Sequence, residues 1–185
     1  MIVYTLQEEF KFLEFQETGV LKAHPDIICA DWFVNAYEWL EGKMKVLLPP
    51  SDIEYKHPVW AWYKYDGKRK PDLRKKHFNK GDIFYRIEIE IDDSKVLLTD
   101  FDDWHLVLGA KDEEEFKTGH SILDIEESDD IPSYTEQGFF VEDNKLKYNW
   151  DNILLNKNSD KKYIQATFWN ITFDKVKSFT KHKSR

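Results

Sequence analysis

A basic segment that directly follows an aromatic one holds the densest group of residues able to contact a ligand. Residues 64–80 carry eight basic side chains against two carboxylates, a net charge of +6. Cations can meet phosphates and aromatic rings can stack on bases, a combination that proteins use to bind single-stranded nucleic acid. The cations expected to contact nucleic acid or phosphate are Lys68, Arg69, Lys75 and Lys76, with Lys70 and Arg74 beside them, and the rings are those of Trp60, Trp62, Tyr63 and Tyr65.

Both parts of this segment also have an ordinary structural interpretation. Aromatic residues at alternate positions of a strand are typical of a core, and Trp60 and Trp62 should share one face in either case. A run of basic residues around Asp66-Gly67 and Lys70-Pro71 is typical of a solvated loop. The sequence leaves both interpretations open.

His105 is a candidate general base or hydrogen-bond donor to a substrate, because histidine can change its charge near neutral pH. It follows Trp104 in a segment that Thr99 or Asp100 can cap as a helix extending to Leu108. A histidine beside the apolar face of a helix is also typical of a structural group whose hydrogen bonds are satisfied.

Glu88 and Glu90 are a second candidate for acid–base chemistry. They lie two residues apart in an alternating strand, so both should point to one face, close enough to shift each other's titration. The alternative is a solvated strand face on which Arg86 lies beside them.

Several other kinds of chemistry are disfavoured. No two histidines are three or four residues apart, the spacing that places two ligands on one helical face, so no metal is expected. The chain also lacks a glycine-rich phosphate loop and the Gly-x-Ser-x-Gly motif of serine hydrolases. Cys29, the only cysteine, lies in an apolar setting and is expected to be a buried structural thiol. The histidines are His24, His57, His77, His105, His120 and His182.

The composition indicates one soluble domain, residues 1–185. The chain has 185 residues, a net charge of −8 and 41% hydrophobic residues, enough for a sizeable core. It has no apolar run that could span a membrane, no recognisable secretion signal and no possible internal disulfide, so we expect a cytoplasmic protein. Residues 110–147 are expected to form an acidic, loop-rich insertion, and residues 175–185 a basic tail prone to fraying.

The order of the patterns predicts an α+β fold with a mainly antiparallel sheet, because strands are separated by helices early in the chain and gather later. Alternation is clearest from Phe84 to Ile91, and Gly19 is placed to cap the first helix. Strands are predicted at 2–6, 58–65, 84–91, 96–98 and 163–173; helices are predicted from Gln7, from Asp26 or Asp31 to Leu47, from 99 or 100 to 108, and at 149–155.

A set of short segments, spread in order over nearly the whole chain, carries a family resemblance. They are Tyr4-Thr5-Leu6-Gln7, Ala36-Tyr37-Glu38-Trp39, Pro58-Val59-Trp60-Ala61-Trp62, Pro71-Asp72-Leu73-Arg74, Leu97-Leu98-Thr99-Asp100-Phe101-Asp102, Trp104-His105, Trp150 and Gln165-Ala166-Thr167-Phe168-Trp169. Together they resemble a small family of bacterial and phage proteins known only as a domain of unknown function, thirty-eight forty-one in its numbered series. This resemblance implies no activity.

A more distant likeness lies in the layout. An opening strand with a polar residue leads through a helix to Gly19-Val20-Leu21, an alternating strand runs from Tyr85 into a Thr-Asp turn at Asp100, and the last of these segments reads Gln165-Ala166-Thr167-Phe168. This layout is similar to that of ADP-ribosyltransferases, particularly the DarT type that modifies DNA. The likeness implies an ADP-ribosyltransferase-like architecture, NAD as the substrate, and ADP-ribose transfer to a nucleic acid or protein in phage–host conflict.

The same likeness implies roles for individual residues. Gln165 and Thr167 would hold the ribose of NAD, with His105 and Asp100 lining or supporting the cleft. For this to hold, Thr5 and Gln165 must line a common cavity. The implied cofactor-binding residues are Thr5 and Gln7 at the nicotinamide ribose or amide, Trp62 as a stacking ring, Arg74 at a phosphate, and Asp100.

The chain departs from that family at the catalytic position. The family has a Glu there, which holds a ribose hydroxyl and stabilises an oxocarbenium-like transition state, whereas this chain has Thr167. A hydroxyl, or the amide of Gln165 on the same face, can hydrogen-bond ribose but supplies no negative charge. Three alternatives follow: the chain binds NAD without turning it over, it recruits another carboxylate such as Glu88 or Glu90, or it shares only the fold of that family, from which no function follows.

The alternative function is a non-enzymatic binding module. A phage or defence protein of this kind would grip nucleic acid through the basic aromatic segment, or dock on a host protein through the acidic residues 111–130. Neither hypothesis includes a membrane partner.

Overall fold

The computed structural model describes residues 1–23, 33–51, 57–75, 77–108 and 150–184. Three α-helices and nine β-strands lie in these ranges. The helices are α1 (Glu9–Thr18), α2 (Val34–Leu47) and α3 (Phe101–Leu108). The strands are β1 (Ile2–Glu8), β2 (Val20–Lys22), β3 (Val59–Lys64), β4 (Ile83–Glu90), β5 (Leu97–Asp100), β6 (Leu154–Leu155), β7 (Ile164–Phe168), β8 (Asn170–Thr172) and β9 (Val176–Lys183).

Seven of the strands form one sheet in the order β6-β5-β7-β3-β1-β4-β9, and each neighbouring pair is antiparallel. The other two, β2 and β8, pair with each other in a small second sheet. This arrangement confirms the predicted α+β fold with a mainly antiparallel sheet. No helix in the described ranges is long and apolar enough to cross a membrane.

The large sheet separates two hydrophobic clusters. On one side, which we call the α1 face, Phe12 and Phe15 of α1 pack against strand residues such as Ile87 and Ala166. On the other side, the α2 face, residues of α2 and α3 such as Leu40 and Trp104 pack over the β5–β7 end of the sheet. Because strand side chains alternate between faces, the register of each strand decides which residues can meet on the α2 face.

Helix α1 ends as its sequence predicts. Gly19 adopts a left-handed conformation with φ of 74°, and its N–H donates to the carbonyl of Phe15. A residue without Cβ adopts that conformation at little cost, which explains the glycine. The chain then turns directly into β2.

The end of the chain differs from the prediction in two ways. The expected single strand at 163–173 is broken at Trp169, whose side chain packs in the cluster on the α2 face, and β8 then leaves the large sheet to pair with β2. The expected frayed tail is wrong, because Val176–Lys183 pairs with β4 along its length. The charges of Lys177 and Lys181 are met by Glu90 and Glu9.

Two further predictions have different outcomes. The expected short helix at 149–155 is a 3-10 turn, Trp150–Ile153, followed by the two-residue strand β6. The acidic insertion predicted at 110–147 lies outside the described residues, as do His24, Cys29, Lys76 and His120.

Candidate functional site

A row of side chains crosses five strands of the α2 face and includes Trp62 and Gln165. Gln165 of β7 is the register partner of Trp62 on β3 and of Thr99 on β5. On the other side, Trp62 pairs with Tyr4 of β1, which pairs with Glu88 of β4. Directly opposed residues in antiparallel strands are about 5 Å apart, so neighbours in this row can contact one ligand. We call Thr99, Gln165, Trp62, Tyr4 and Glu88 the polar row.

Two polar atoms of this row are buried without a hydrogen-bond partner. They are Oγ1 of Thr99, whose residue is fully buried, and Oε1 of Gln165. A buried polar atom that lacks a partner costs about 1–3 kcal/mol, and such atoms are rare in folded proteins. The two lie on adjacent strands, so one group placed over them could supply both missing hydrogen bonds.

Trp62 is half-buried and is held by other aromatic rings. Tyr65 meets it edge-on with ring centroids 4.9 Å apart, and Phe101 lies tilted against it at the same distance. Tyr163 lies 6.5 Å away and also contacts Tyr65 and Phe101. We call Trp62, Tyr65, Phe101 and Tyr163 the aromatic group. Its contacts fix the orientation of Trp62 beside the two buried polar atoms.

His105 lies at the exposed border of the aromatic group. Its ring packs on Phe101 at 4.4 Å, and its Nδ1 lies 2.8 Å from the Phe101 carbonyl oxygen. Because a carbonyl can only accept, Nδ1 carries the proton in this bond. In the neutral ring, Nε2 is then the acceptor that faces a ligand or solvent.

Asp100 supports this border and has no free group for a ligand. It is 1% exposed, and its Oδ1 accepts hydrogen bonds from the backbone N–H groups of Asp102 and Asp103, which caps α3. The ammonium of Lys161 lies 2.5 Å from Oδ2. The predicted role of Asp100 as a support for the cleft fits this geometry, whereas a direct contact with NAD does not.

The charge of Asp100 also acts on the start of α3. Burial raises the pKa of the Asp103 carboxyl, and the neighbouring negative charge of Asp100 raises it further. The pKa of Asp102 is raised by the same two causes. The hydrogen bond with Asp100 also raises the pKa of Lys161, which stabilises the charged form of that ammonium.

Three residues that sequence reasoning assigned to the site lie outside it. The hydroxyl of Thr167 already donates to the carbonyl of Leu97 at 3.3 Å, so it is not free to hold a ribose. Thr5 and Gln7 lie on the α1 face, because Thr5 is the register partner of Ile87 in the core. The hydroxyl of Thr5 donates to the Trp60 carbonyl and accepts from the Gln7 amide.

Two cations of the basic segment have close acidic partners. The guanidinium of Arg74 forms a two-pronged pair with Asp72 at 2.6 Å, and the ammonium of Lys75 lies 2.7 Å from Asp66. These cations hold the pKa values of both carboxyls below their usual range. Arg69 stacks on the ring of Tyr63 at 3.8 Å, and Lys68 makes no ion pair within the described part of the chain.

Glu88 and Glu90 share a face as predicted, but they do not replace the missing catalytic Glu. Glu88 is three strands away from Gln165, a separation of roughly 14 Å at the usual strand spacing. Glu90 is exposed and paired with Lys177, whose hydrogen bond lowers its pKa. The two carboxylates therefore have separate partners.

Sequence reasoning treated Thr99 only as a possible helix cap. Once Asp100 is assigned as the cap of α3, alternation places Thr99 on the face opposite Leu98, which could have identified it. The contribution of Phe101 and Tyr163 to the aromatic group could not be found in this way, because it depends on how α3 packs over β3 and β7. Within the described ranges, no group of three His, Cys, Asp or Glu side chains could hold a metal ion.

Comparison with known proteins identifies one family. A family model described as Domain of unknown function (DUF3841) matches residues 2–177, nearly the whole chain, which confirms the first resemblance. No curated protein and no solved structure matches the chain. The ADP-ribosyltransferase-like architecture therefore stays a prediction.

Proposed function

Because the chain belongs to the DUF3841 family, whose description states no activity, we propose a function from the site alone: the protein binds a nucleotide, NAD in the first instance, at the polar row. The planar base or nicotinamide lies against Trp62, and Gln165 and Thr99 recognise its edge. The protein holds this ligand without transferring its ADP-ribose.

The observation that carries the proposal is the pair of buried atoms beside Trp62. Oε1 of Gln165 is an acceptor, and the hydroxyl of Thr99 can both donate and accept. A nicotinamide carboxamide or the amino edge of adenine offers the N–H donors that such atoms need. An aromatic ring adjacent to them suits the same planar ligand, because base–aromatic stacking contributes about 1–3 kcal/mol per base.

Binding without transfer is favoured by the absence of a usable carboxylate among the described residues near Gln165. Asp100 is bonded to Lys161 and to the start of α3, and Glu88 lies three strands away. Electrostatic stabilisation of the developing positive charge is usually a large part of catalysis. A site without that charge can bind NAD but accelerates cleavage of its glycosidic bond little.

The pairing of Arg74 and Lys75 leaves fewer cations of the basic segment for the nucleic-acid alternative. Counterion release drives nucleic-acid binding, and it requires cations that are free to replace the ions around phosphates. Arg74 and Lys75 are already paired with Asp72 and Asp66. A nucleic acid would have to compete with both carboxylates.

A thermal-shift titration of the full chain with NAD tests the proposal, with ADP-ribose and ATP as comparison ligands. A ligand that binds only the folded state at one hundred times its Kd stabilises it by about 2.7 kcal/mol, which raises the melting temperature by roughly 5–10 °C for a chain of this size. We expect such a shift with NAD. No shift with any of the three nucleotides at millimolar concentration would exclude the proposed function.

The second half of the proposal needs its own assay. Incubation of the protein with NAD and a mixture of nucleic acid and protein acceptors should release no nicotinamide above the uncatalysed background. Nicotinamide release that depends on the protein would show that the chain turns NAD over, and it would refute binding without transfer.

A further inference from the structure

Arg86 is a half-buried cation whose charge is not balanced by a close acidic partner. It lies in the middle of β4 on the α2 face, two residues before Glu88. Its Nη1 donates to the carbonyl of Pro71 at 2.8 Å, and no carboxylate of the described residues lies within ion-pair distance of it. A guanidinium has five N–H donors, so most of its hydrogen-bonding capacity is unused.

The surroundings of Arg86 add to its charge. Lys70 lies over the ring of Tyr4, 5.9 Å from the centroid, and only 4.0 Å from the carboxylate of Glu88. Burial and the carboxylate of Glu88 raise the pKa of the Tyr4 hydroxyl, and the charge of Arg86 offsets this only in part. Two cations, Lys70 and Arg86, thus share a single carboxylate, Glu88.

Partial burial makes this arrangement costly. Removal of water from the guanidinium lowers the pKa of Arg86 below its usual value, and the negative charges nearby offset this only in part. A cation that is partly desolvated and lacks a bonded counterion is stabilised strongly when an anion binds directly to it. Arginine suits phosphate oxygens in particular, because its planar group donates two parallel hydrogen bonds.

We propose that Lys70 and Arg86, which lie beside Tyr4 and Glu88, form a binding site for the diphosphate of a nucleotide. This site is distinct from Arg74, which the sequence suggested as the phosphate contact and which is bonded to Asp72.

The distance between this site and Trp62 suits a nucleotide that is bound at both. The assignment of the anion as a diphosphate rests on the proposed function. Tyr4 is the register partner of Trp62, and Arg86 is two strands and two residues away from Trp62, roughly 12 Å between Cα atoms at the usual spacings. An arginine side chain spans about half of that distance. A base at Trp62 therefore leaves its diphosphate within reach of Arg86.

Titration with inorganic pyrophosphate tests the anion site directly, because pyrophosphate carries no base. The full chain, Arg86→Met and the control Arg74→Met are compared by calorimetry at constant ionic strength. Arg74 is the matched control, since it is an arginine of the same segment that already has a partner. We expect at least a tenfold increase in Kd for Arg86→Met and a change of less than twofold for Arg74→Met.

The melting temperature without anion separates a binding role from a structural one. If the role of Arg86 is to bind an anion, the melting temperature of Arg86→Met equals or exceeds that of the wild type, because the substitution removes an unbalanced charge. If Arg86 serves only to clamp Pro71, the variant melts lower while pyrophosphate binds it as it binds the wild type, and the proposal is overturned. Should Arg86→Met fail to fold, Lys70→Met is expected to weaken pyrophosphate binding, and unchanged binding would overturn the proposal.

Two probes on the wild type distinguish this inference from the proposed function. Pyrophosphate binding without any response to nicotinamide riboside or adenosine would support the anion site and reject the site at Trp62. Binding of a nucleoside without pyrophosphate binding would reject the anion site and leave the site at Trp62 in place.

Discussion

Thr5 and Gln165 lie on opposite faces of the same sheet. Thr5 is the register partner of Ile87 in the core beneath α1, whereas Gln165 pairs with Trp62 and Thr99 beneath α3 and the basic segment. The sheet itself separates the two side chains, so no ligand can contact both. The requirement that they line a common cavity is therefore not met, and a nucleotide site that includes Gln165 can draw only on residues of the α2 face.

This relationship predicts that substitutions of two glutamines affect NAD binding differently. Gln165→Leu should abolish the thermal shift with NAD, because it removes the amide that recognises the ligand, while the unliganded protein stays as stable as the wild type or gains up to about 1 kcal/mol. Gln7→Leu should leave the shift intact, since Gln7 bonds only to Thr5 on the other face. A loss of the shift in Gln7→Leu but not in Gln165→Leu would place the ligand on the α1 face.

Asp100 is expected to matter for stability more than its carboxylate neighbours. Asp100→Ala removes the cap of α3 and leaves Lys161 without its buried partner, so the free energy of unfolding should fall by about 1–3 kcal/mol. Urea denaturation measures the change. Asp102→Ala is the control, because it removes an exposed carboxyl of the same turn, and a loss as large as that of Asp100→Ala would contradict the assigned cap.

Asp103 should give a pH-dependent stability difference. Its pKa is raised in the folded state, so the folded protein binds this proton more tightly than the unfolded chain, and ionisation of Asp103 works against folding. Asp103→Asn should therefore be more stable than the wild type at pH 7, by less than about 1 kcal/mol after screening. The difference should vanish as the pH falls through about 4, where the wild-type carboxyl is protonated in both states. A difference that grows on acidification would contradict the sign.

Two glycines should respond oppositely to alanine. Gly19 has φ of 74°, so Gly19→Ala should lower the free energy of unfolding by about 1 kcal/mol. Gly42 lies inside α2 with no heavy atom within 4 Å of an added Cβ, so Gly42→Ala should raise it by about 0.5–1 kcal/mol. Chemical denaturation of both variants gives the two values, and equal signs would be inconsistent with the structure.

The phenylalanines of α1 test the packing on the α1 face. Phe12 is 2% exposed and stacks on Tyr85 with ring centroids 3.9 Å apart, so Phe12→Ala should cost about 3–5 kcal/mol. Phe10 is 60% exposed, and Phe10→Ala should change the free energy of unfolding by less than about 0.5 kcal/mol. Similar losses in both variants would mean that α1 packs in a different rotation.

Local patterns in the sequence predict those parts of the fold that local physics decides. The strand predicted at 84–91 is β4 at Ile83–Glu90, because its alternating isoleucines are buried on one face only. The end of α1 was predicted from Gly19, whose conformation few other residues adopt easily. Both signals lie within a few residues of the element that they define.

What the sequence could not predict depends on partners far along the chain. Strand β9 is mostly exposed and rich in lysine, and only its pairing with β4 makes it a strand. The placement of Thr5 failed for the same reason: alternation shows which residues of one strand share a face, but not which face of the sheet that is. Register between distant strands decides this, and no local pattern encodes it.

The position of β7 between β5 and β3 has a consequence for biosynthesis. A nascent chain that has emerged up to residue 150 contains β3 and β5 but not the strand that joins them. Each then presents a bare edge able to pair with other chains, and the sheet can close only after β7 has left the ribosome. The sheet is thus completed only after β7 has emerged, and truncations before β7 should yield aggregates rather than smaller folded products.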